Sequence, residues 1–210
     1  MREDTRTILF AAIVCITCSL LLSGTAAGLK SLQEANKEFD VKRNIVKAFG
    51  IDIGEMERPE IESTFIKHVS EETAGELPIY TWTDDGTETP SKYAFPISGK
   101  GLWSTLYGYL SLNADLETIA GISFYKHGET PGLGAEIEKD WFLSQFTGKR
   151  LYADGASTEF VVAKPGYAQG DSAVDGISGA TLTGKGVEAL LRKDATAYAE
   201  YFNSIKGNRE

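Results

Sequence analysis

Twelve residues near the C-terminal end, Asp175-Gly176-Ile177-Ser178-Gly179-Ala180-Thr181-Leu182-Thr183-Gly184-Lys185-Gly186, concentrate the groups best suited to holding an anion. They supply three hydroxyls, four glycines and one lysine just before a segment with helical periodicity. Glycines let the backbone approach an anion closely, and a helix N-terminus presents unpaired N–H groups and the positive end of its dipole. That is the composition of a phosphate site. Two named patterns almost fit it. Gly179 to Lys185 matches G-x-x-x-x-G-K-S/T except at its last position, where Gly186 has no hydroxyl to hold Mg²⁺. The preceding Ser172 to Gly176 also reads as a poor buried strand, so a diffusing nucleoside triphosphate is disfavoured. Gly176 to Ala180 imitates a nucleophile elbow, but Ala180 replaces the second glycine and His68 and His127 are the only histidines. A Ser–His hydrolase is disfavoured too.

The elements that must position this stretch fit within 210 residues, of which 42% are apolar. That is enough for one globular core plus whatever the N-terminus does. Net charge is −9, and Arg2, Arg6, Glu3 and Asp4 cancel, so residues 30 to 210 carry all of it. An acidic surface argues against nucleic acid as a partner. Both cysteines, Cys15 and Cys18, lie in the N-terminal apolar run, which leaves the globular part with no disulfide and no cysteine metal site. Their C-x-x-C spacing places two thiols on one helix face, and one pair cannot complete a tetrahedral site, so filler in a membrane helix is the simpler reading.

From Thr7 to Leu29 no residue is charged, a run long enough at about 1.5 Å per residue to cross a hydrocarbon core of about 30 Å. Gly24-Thr25-Ala26-Ala27 offers the competing reading of a cleaved signal peptide. The helical pattern continues past it without a turn, which favours a retained anchor. Arg2 and Arg6 put the N-terminus in the cytoplasm and the domain outside, with Lys30 as a counterweight. The expected organisation is an anchor over 1–29, an amphipathic connecting helix over 30–50 and one domain over 51–210. Leu32, Ala35, Phe39, Ile45, Val46 and Phe49 mark the connecting helix, and Gly50 stops it. Residues 51–76 are acidic and weakly periodic, with a helix candidate at Ile61 to Ser70. Strands are expected at Leu77 to Thr83, Tyr93 to Ser98, Trp103 to Leu112, Ile119 to Tyr125 and Thr158 to Ala163, separated by turn clusters. The last helix is expected over about Gly186 to Asn203. Strands followed by helices indicate an α+β fold with a mainly antiparallel sheet and flanking helices.

Asp175-Gly176-Ile177-Ser178-Gly179-Ala180-Thr181 resembles the D-x-x-S/T-G-A-T/S signature of domains that carry FMN covalently, through a phosphoester to the final threonine. Pro96-Ile97-Ser98-Gly99-Lys100-Gly101-Leu102-Trp103, Tyr107-Gly108-Tyr109 and His127-Gly128-Glu129-Thr130-Pro131-Gly132-Leu133-Gly134 resemble the other landmarks of that family, in the same order. With the N-terminal span, nearly the whole chain is similar to the NqrC components of the Na⁺-translocating NADH:quinone oxidoreductases. The paralogous RnfG components of the Rnf ferredoxin:NAD⁺ complexes share the acceptor and E-T-P-G-L-G elements. The Gly-Leu-Trp and Tyr-Gly segments favour the quinone reductase.

The resemblance implies an electron-relaying flavoprotein subunit with FMN esterified to Thr181 by a flavin transferase acting on FAD. Ser178, Gly179, Ala180, Leu182, Thr183 and Lys185 are then cofactor-binding residues around the phosphate, with Lys185 balancing its charge and Thr183 the internal rival as acceptor. Asp175 serves the transferase, or else is a turn residue capping Gly176. Glu129, Thr130, Pro131, Gly132, Leu133 and Gly134 form a cofactor-facing loop, in which Pro131 gives stiffness and Leu133 or Thr130 covers the flavin ring. Without the family match the same segment reads as a tight turn. Trp103, Tyr107 and Tyr109 are stacking candidates on a strand, with core packing the plainer alternative. His127 reads as a polar turn residue. Partners implied are subunits A, B, D, E and F of the complex, in the bacterial inner membrane with the FMN domain on the periplasmic side. The resemblance also implies that Na⁺ is moved elsewhere, and the uncharged span offers no ion path of its own. The rival from another class is an anchored, flavin-free binding module.

Overall fold

The computed structural model describes residues 2–207. It divides into two compact units, one ending at Asp40 and one beginning at Val41. Helix α1 (Arg2–Ala48) runs through both without a break. Its N-terminal part is long and apolar enough to cross a membrane, and its Ile8, Leu9, Phe10, Ile13 and Leu20 to Leu22 are all exposed. Cys15 and Cys18 are free thiols on its surface.

The connecting segment changes character part-way. Leu32 is exposed, whereas Ile45, Val46, Ala48 and Phe49 are fully buried in the second unit. Gly50 ends the helix as its sequence requires, at φ +78°, a left-handed conformation that costs a glycine little. Side chains of the second unit bond carbonyls of the last turns of this helix, including ones it leaves unpaired at its end. Lys92 Nζ donates to Phe49 O (2.7 Å), Ser123 Oγ to Asn44 O (2.9 Å), and Ser111 Oγ to Ala48 O. Gly121 makes this approach possible, because a Cβ there would sit 2.6 Å from Ala48 O.

After α2 (Arg58–His68) comes a five-stranded antiparallel meander: β1 (Val69–Ala74), β2 (Leu77–Trp82), β3 (Lys92–Lys100), β4 (Thr105–Asn113) and β5 (Ile119–Lys126), in the spatial order β1-β2-β3-β4-β5. Four of these match expected strands within a few residues. The sequence conceals β1, because this edge strand exposes Ser70 to Thr73 on both faces and so has no apolar alternation. Its glutamates also keep the edge from pairing further. One expected strand begins too early: Trp103 lies in the turn before β4, not on it.

Two short 3₁₀ segments (Gly134–Glu138 and Ser144–Phe146) flank the short α3 (Asp140–Leu143). A small hairpin, β6 (Tyr152–Ala153) and β7 (Ala156–Ser157), precedes β8 (Val161–Ala163), which pairs in parallel with β9 (Ala173–Asp175). The pairing of β9 corrects the reading of residues 172–176 as unfit for a strand. Val174 is 1% exposed and lies on β9 opposite Val162. Helix α4 (Thr181–Gly207) covers one face of the sheet. Val187, Leu190, Leu191, Ala195, Tyr198 and Phe202 form its buried stripe, with Tyr198 and Phe202 against the ring of Phe95 on β3 (centroids 4.5 and 5.7 Å). The α+β class is as expected.

Candidate functional site

Helix α4 begins at Thr181, five residues earlier than its periodicity indicates. Gly184 and Gly186 are therefore inside the helix and serve its packing. A Cβ on Gly184 would lie 3.1 Å from Val162 Cγ1, and one on Gly186 only 2.5 Å from Lys100 O. Glycine is disfavoured in a helix by about 1 kcal/mol, so the periodicity weakens where close contact with β3 and β8 requires it. These glycines are not a phosphate-wrapping loop. Only Gly179, at φ +76°, supplies the backbone freedom expected of a turn, and a Cβ there would meet Leu133 Cδ2 at 2.9 Å.

That contact brings the second landmark to the first. Thr130-Pro131-Gly132-Leu133 forms a turn closed by Leu133 N–H to Thr130 O (3.1 Å), with Gly132 at φ +73°. Proline and then glycine at the two central positions is the chemistry of a type II turn. It holds Leu133 out, 42% exposed, beside the loop that enters α4. The third landmark joins through Glu129, a carboxylate 5% exposed. Its Oε1 accepts the Trp103 N–H (3.0 Å) and the Ser104 N–H (3.4 Å), and its Oε2 accepts the Thr183 hydroxyl (2.6 Å). Burial works to raise the pKa of this carboxyl. The hydrogen bonds from Thr183 and from the Trp103, Ser104 and Leu102 amides outweigh it, and the net value lies below the ordinary one.

The candidates separate accordingly. Thr181, Ser178, Gly179 and Leu182 are exposed around the start of α4, while Ala180 and Thr183 are buried. Thr183 is 1% exposed and its hydroxyl is engaged by Glu129. Lys185 is turned to Glu188 (2.7 and 2.8 Å), a carboxylate that also accepts the Val162 N–H, so its charge is largely committed within the helix. Asp175 neither caps Gly176 nor stands free. Its Oδ1 accepts the Tyr167 and Ala168 N–H groups (3.0 and 2.9 Å) and so fixes the turn leading into β9. Gly134 opens the first 3₁₀ segment, and Pro131 and Thr130 are exposed. Trp103 is 71% exposed on its turn. Tyr109 is buried instead, stacked on Tyr125 and edge-on to Tyr80, and Tyr107 leans on Tyr125. The tyrosines of β4 thus pack with one another. His127 hydrogen-bonds Glu138 and accepts the Glu129 N–H, as a polar turn residue does.

Sequence reasoning missed one feature beside this site, a cleft of about 600 Å³ lined by Gly132, Glu136, Trp141, Gln145, Asp175 and Ser178 among others. Gln145 bonds the Asp175 backbone at both N–H and C=O, and Trp141 is half-exposed. Neither residue sits in a periodic or motif-bearing segment, so nothing in the sequence pointed to them.

These residues fit a phosphorylated flavin. An exposed hydroxyl stands at the first position of a 27-residue helix, whose first-turn N–H groups have no acceptor within the helix. Leu182 next to it in the helix, Leu133 against Gly179, and Leu102 and Trp103 on the turn bonded to Glu129 expose apolar surface that a flat ring could cover.

Residues 101–195 match the family model for an FMN-binding domain. The chain is 32% identical to NqrC of the Na⁺-translocating NADH-quinone reductase of Pseudomonas aeruginosa, over 90% of each chain. It is also 32% identical to the corresponding protein of Vibrio alginolyticus, over 82% of this chain and 83% of that one. The crystal structure of the Parabacteroides distasonis counterpart superimposes with a TM-score of 0.73 at 31% identity, covering 83% of this chain and 96% of that one. Shewanella oneidensis NqrC gives 0.72 at 27% identity, covering 82% and 99%. Likeness of this extent, over both sequence and fold, places the chain in the NqrC family of the Na⁺-translocating NADH-quinone reductases.

Proposed function

We propose that this chain relays electrons through FMN esterified to Thr181. It is a flavoprotein subunit of a Na⁺-translocating NADH-quinone reductase, and as an enzyme it acts within that oxidoreductase complex. The relatives named above are NqrC proteins, so the Rnf reading is not favoured. The observation that carries the acceptor assignment is the contrast between two threonines of one helical turn. Thr181 is exposed at the N-terminus of α4, and Thr183 is sealed under it and bonded to Glu129. When bound, FMN supplies reversible electron transfer at its ring, and the protein sets its position and access to solvent. Leu133 and Trp103 would cover the ring, the N-terminus of α4 would hold the phosphate, and Asp175 would shape the turn offered to a flavin transferase. Subunits A, B, D, E and F are the partners. The apolar part of α1 is a single-pass anchor in the bacterial inner membrane, with the domain on the periplasmic side.

The test is intact mass with peptide mapping on protein co-produced with a flavin transferase. The expected mass exceeds that of the polypeptide by one FMN phosphoester, mapped to the peptide holding Thr181, and Thr181→Val removes it. An unmodified wild-type mass under the same co-production would make the chain a flavin-free anchored module. An adduct that survives Thr181→Val but not Thr183→Val would move the acceptor.

A further inference from the structure

The pocket around Glu129 is built for an anion rather than left over by packing. A Cβ on Gly101 would come 2.6 Å from Glu129 Oε1, and one on Gly134 would come 2.8 Å from Oε2 and 2.5 Å from Thr183 Oγ1. Two glycines from two different landmarks are thus the space in which the carboxylate lies. Its oxygens are satisfied from two elements, the Gly101–Ser104 turn and the first turn of α4. Oε1 holds the two amides of that turn and Oε2 the Thr183 hydroxyl, so the carboxylate ties the two elements together.

We infer that Glu129 is a positioning residue, which aims Thr181 outward by holding Thr183 inward. In an α-helix, residues two apart point about 200° from each other, on opposite sides of the axis. A charged hydrogen bond that fixes Thr183 toward the interior therefore turns Thr181 toward solvent, where a transferase reaches it. Through the Trp103 and Ser104 amides the same carboxylate holds the turn that presents the exposed Trp103 ring. One buried charge sets the relative placement of acceptor and ring-facing side chain. The role rests on the reading of Thr181 as the flavin acceptor.

The experiment uses the full chain co-produced with a flavin transferase, as wild type, Glu129→Gln, Thr183→Val and Thr183→Ser. Loaded fraction is read by intact mass, flavin environment by visible circular dichroism, and the hold on the turn by amide exchange at 102–104. Glutamine keeps the shape but turns an NH₂ toward donors, and valine keeps the shape of Thr183 without its hydroxyl. Both are expected to load a smaller fraction and to shift the flavin dichroism in the molecules that do load. Thr183→Ser, which restores the hydroxyl, is expected to behave as wild type. In Glu129→Gln, exchange at 102–104 should rise about tenfold or more, the range for losing a hydrogen bond to a charged group. If Glu129→Gln does not fold, the contrast of Thr183→Val with Thr183→Ser decides. Wild type modified at Thr181, together with variants that load fully and show unaltered dichroism, would overturn this inference alone. Wild type without flavin at Thr181 would overturn the acceptor reading and take the positioning role with it.

Discussion

Thr181 and Thr183 are the same residue type two positions apart, and their different fates come from burial and a partner. The hydroxyl of Thr183 has its acceptor in Glu129, so its loss leaves a buried carboxylate short of a donor, whereas Thr181 is exposed to solvent. The ionisation of Glu129 makes a stability prediction. Its folded pKa lies below the ordinary glutamate value of 4.5, so its contribution is full above that pH and is lost as pH falls through the lowered folded value. Thermal melts of wild type and Glu129→Gln from pH 7 to pH 3 should show a wild-type advantage that holds at neutral pH and shrinks below about 4.5. Asp115 and Asp140 also have lowered values and add to acid lability, but they are common to both proteins and cancel in the difference. Gly179 carries a second prediction. Alanine there meets both a positive φ and Leu133 Cδ2, so Gly179→Ala should cost about 1–2 kcal/mol in denaturant unfolding and disturb the entry to α4.

Helix α4 shows why an element boundary can be hidden while the element itself is plain. Its apolar stripe from Val187 to Phe202 reads clearly as a helix, yet the first turns contain Thr181, Thr183, Gly184 and Gly186, residues that weaken a helical reading. They are tolerated because β3 and β8 press against that end. Gly186→Ala would drive a Cβ into the Lys100 carbonyl, and we expect a loss of about 1–3 kcal/mol. Gly184→Ala faces only a methyl of Val162 at 3.1 Å, a side chain that can yield, and should cost less. Equilibrium unfolding of the two variants checks the order. The end of α1 is the other case. Gly50 marks its stop in the sequence, but the capture of its last carbonyls by Lys92, Ser111 and Ser123 depends on residues 43 to 79 positions away. Strands β2 to β5 are legible from apolar runs between turn clusters; β1 and β9 are not, the first being a wet edge and the second three residues long.

At the scale of the molecule, an exposed apolar helix precedes an acidic domain. The two compact units part at Asp40, within the helix, so the domain keeps the buried turns of α1 that begin near Val41. A chain of residues 41–210 is therefore expected to remain soluble and fold with the melting behaviour of the domain. One beginning after Gly50 should be destabilised, because Ile45, Val46 and Phe49 leave the core. Sedimentation and thermal melts of the two truncations distinguish these outcomes. Arg2 and Arg6 predict the sidedness. In spheroplasts, added protease should reach the domain without breaking the inner membrane. Protection of the domain there would reverse the proposed orientation.

Local information in the sequence is enough for the long apolar helix, the α+β class, the Pro131-Gly132 turn and the family landmarks, because hydrophobic runs, turn residues and motif spacing all act between near neighbours along the chain. What each landmark does is decided by tertiary structure. Gly184 and Gly186 prove to be packing glycines, Lys185 pairs within its own helix, Tyr109 belongs to a tyrosine cluster, and Glu129 joins three segments 26 to 54 residues apart. A hydrogen bond or a close contact between distant residues leaves no periodicity, so only the folded chain reveals that Thr183 is turned in and Thr181 is left exposed at the start of α4.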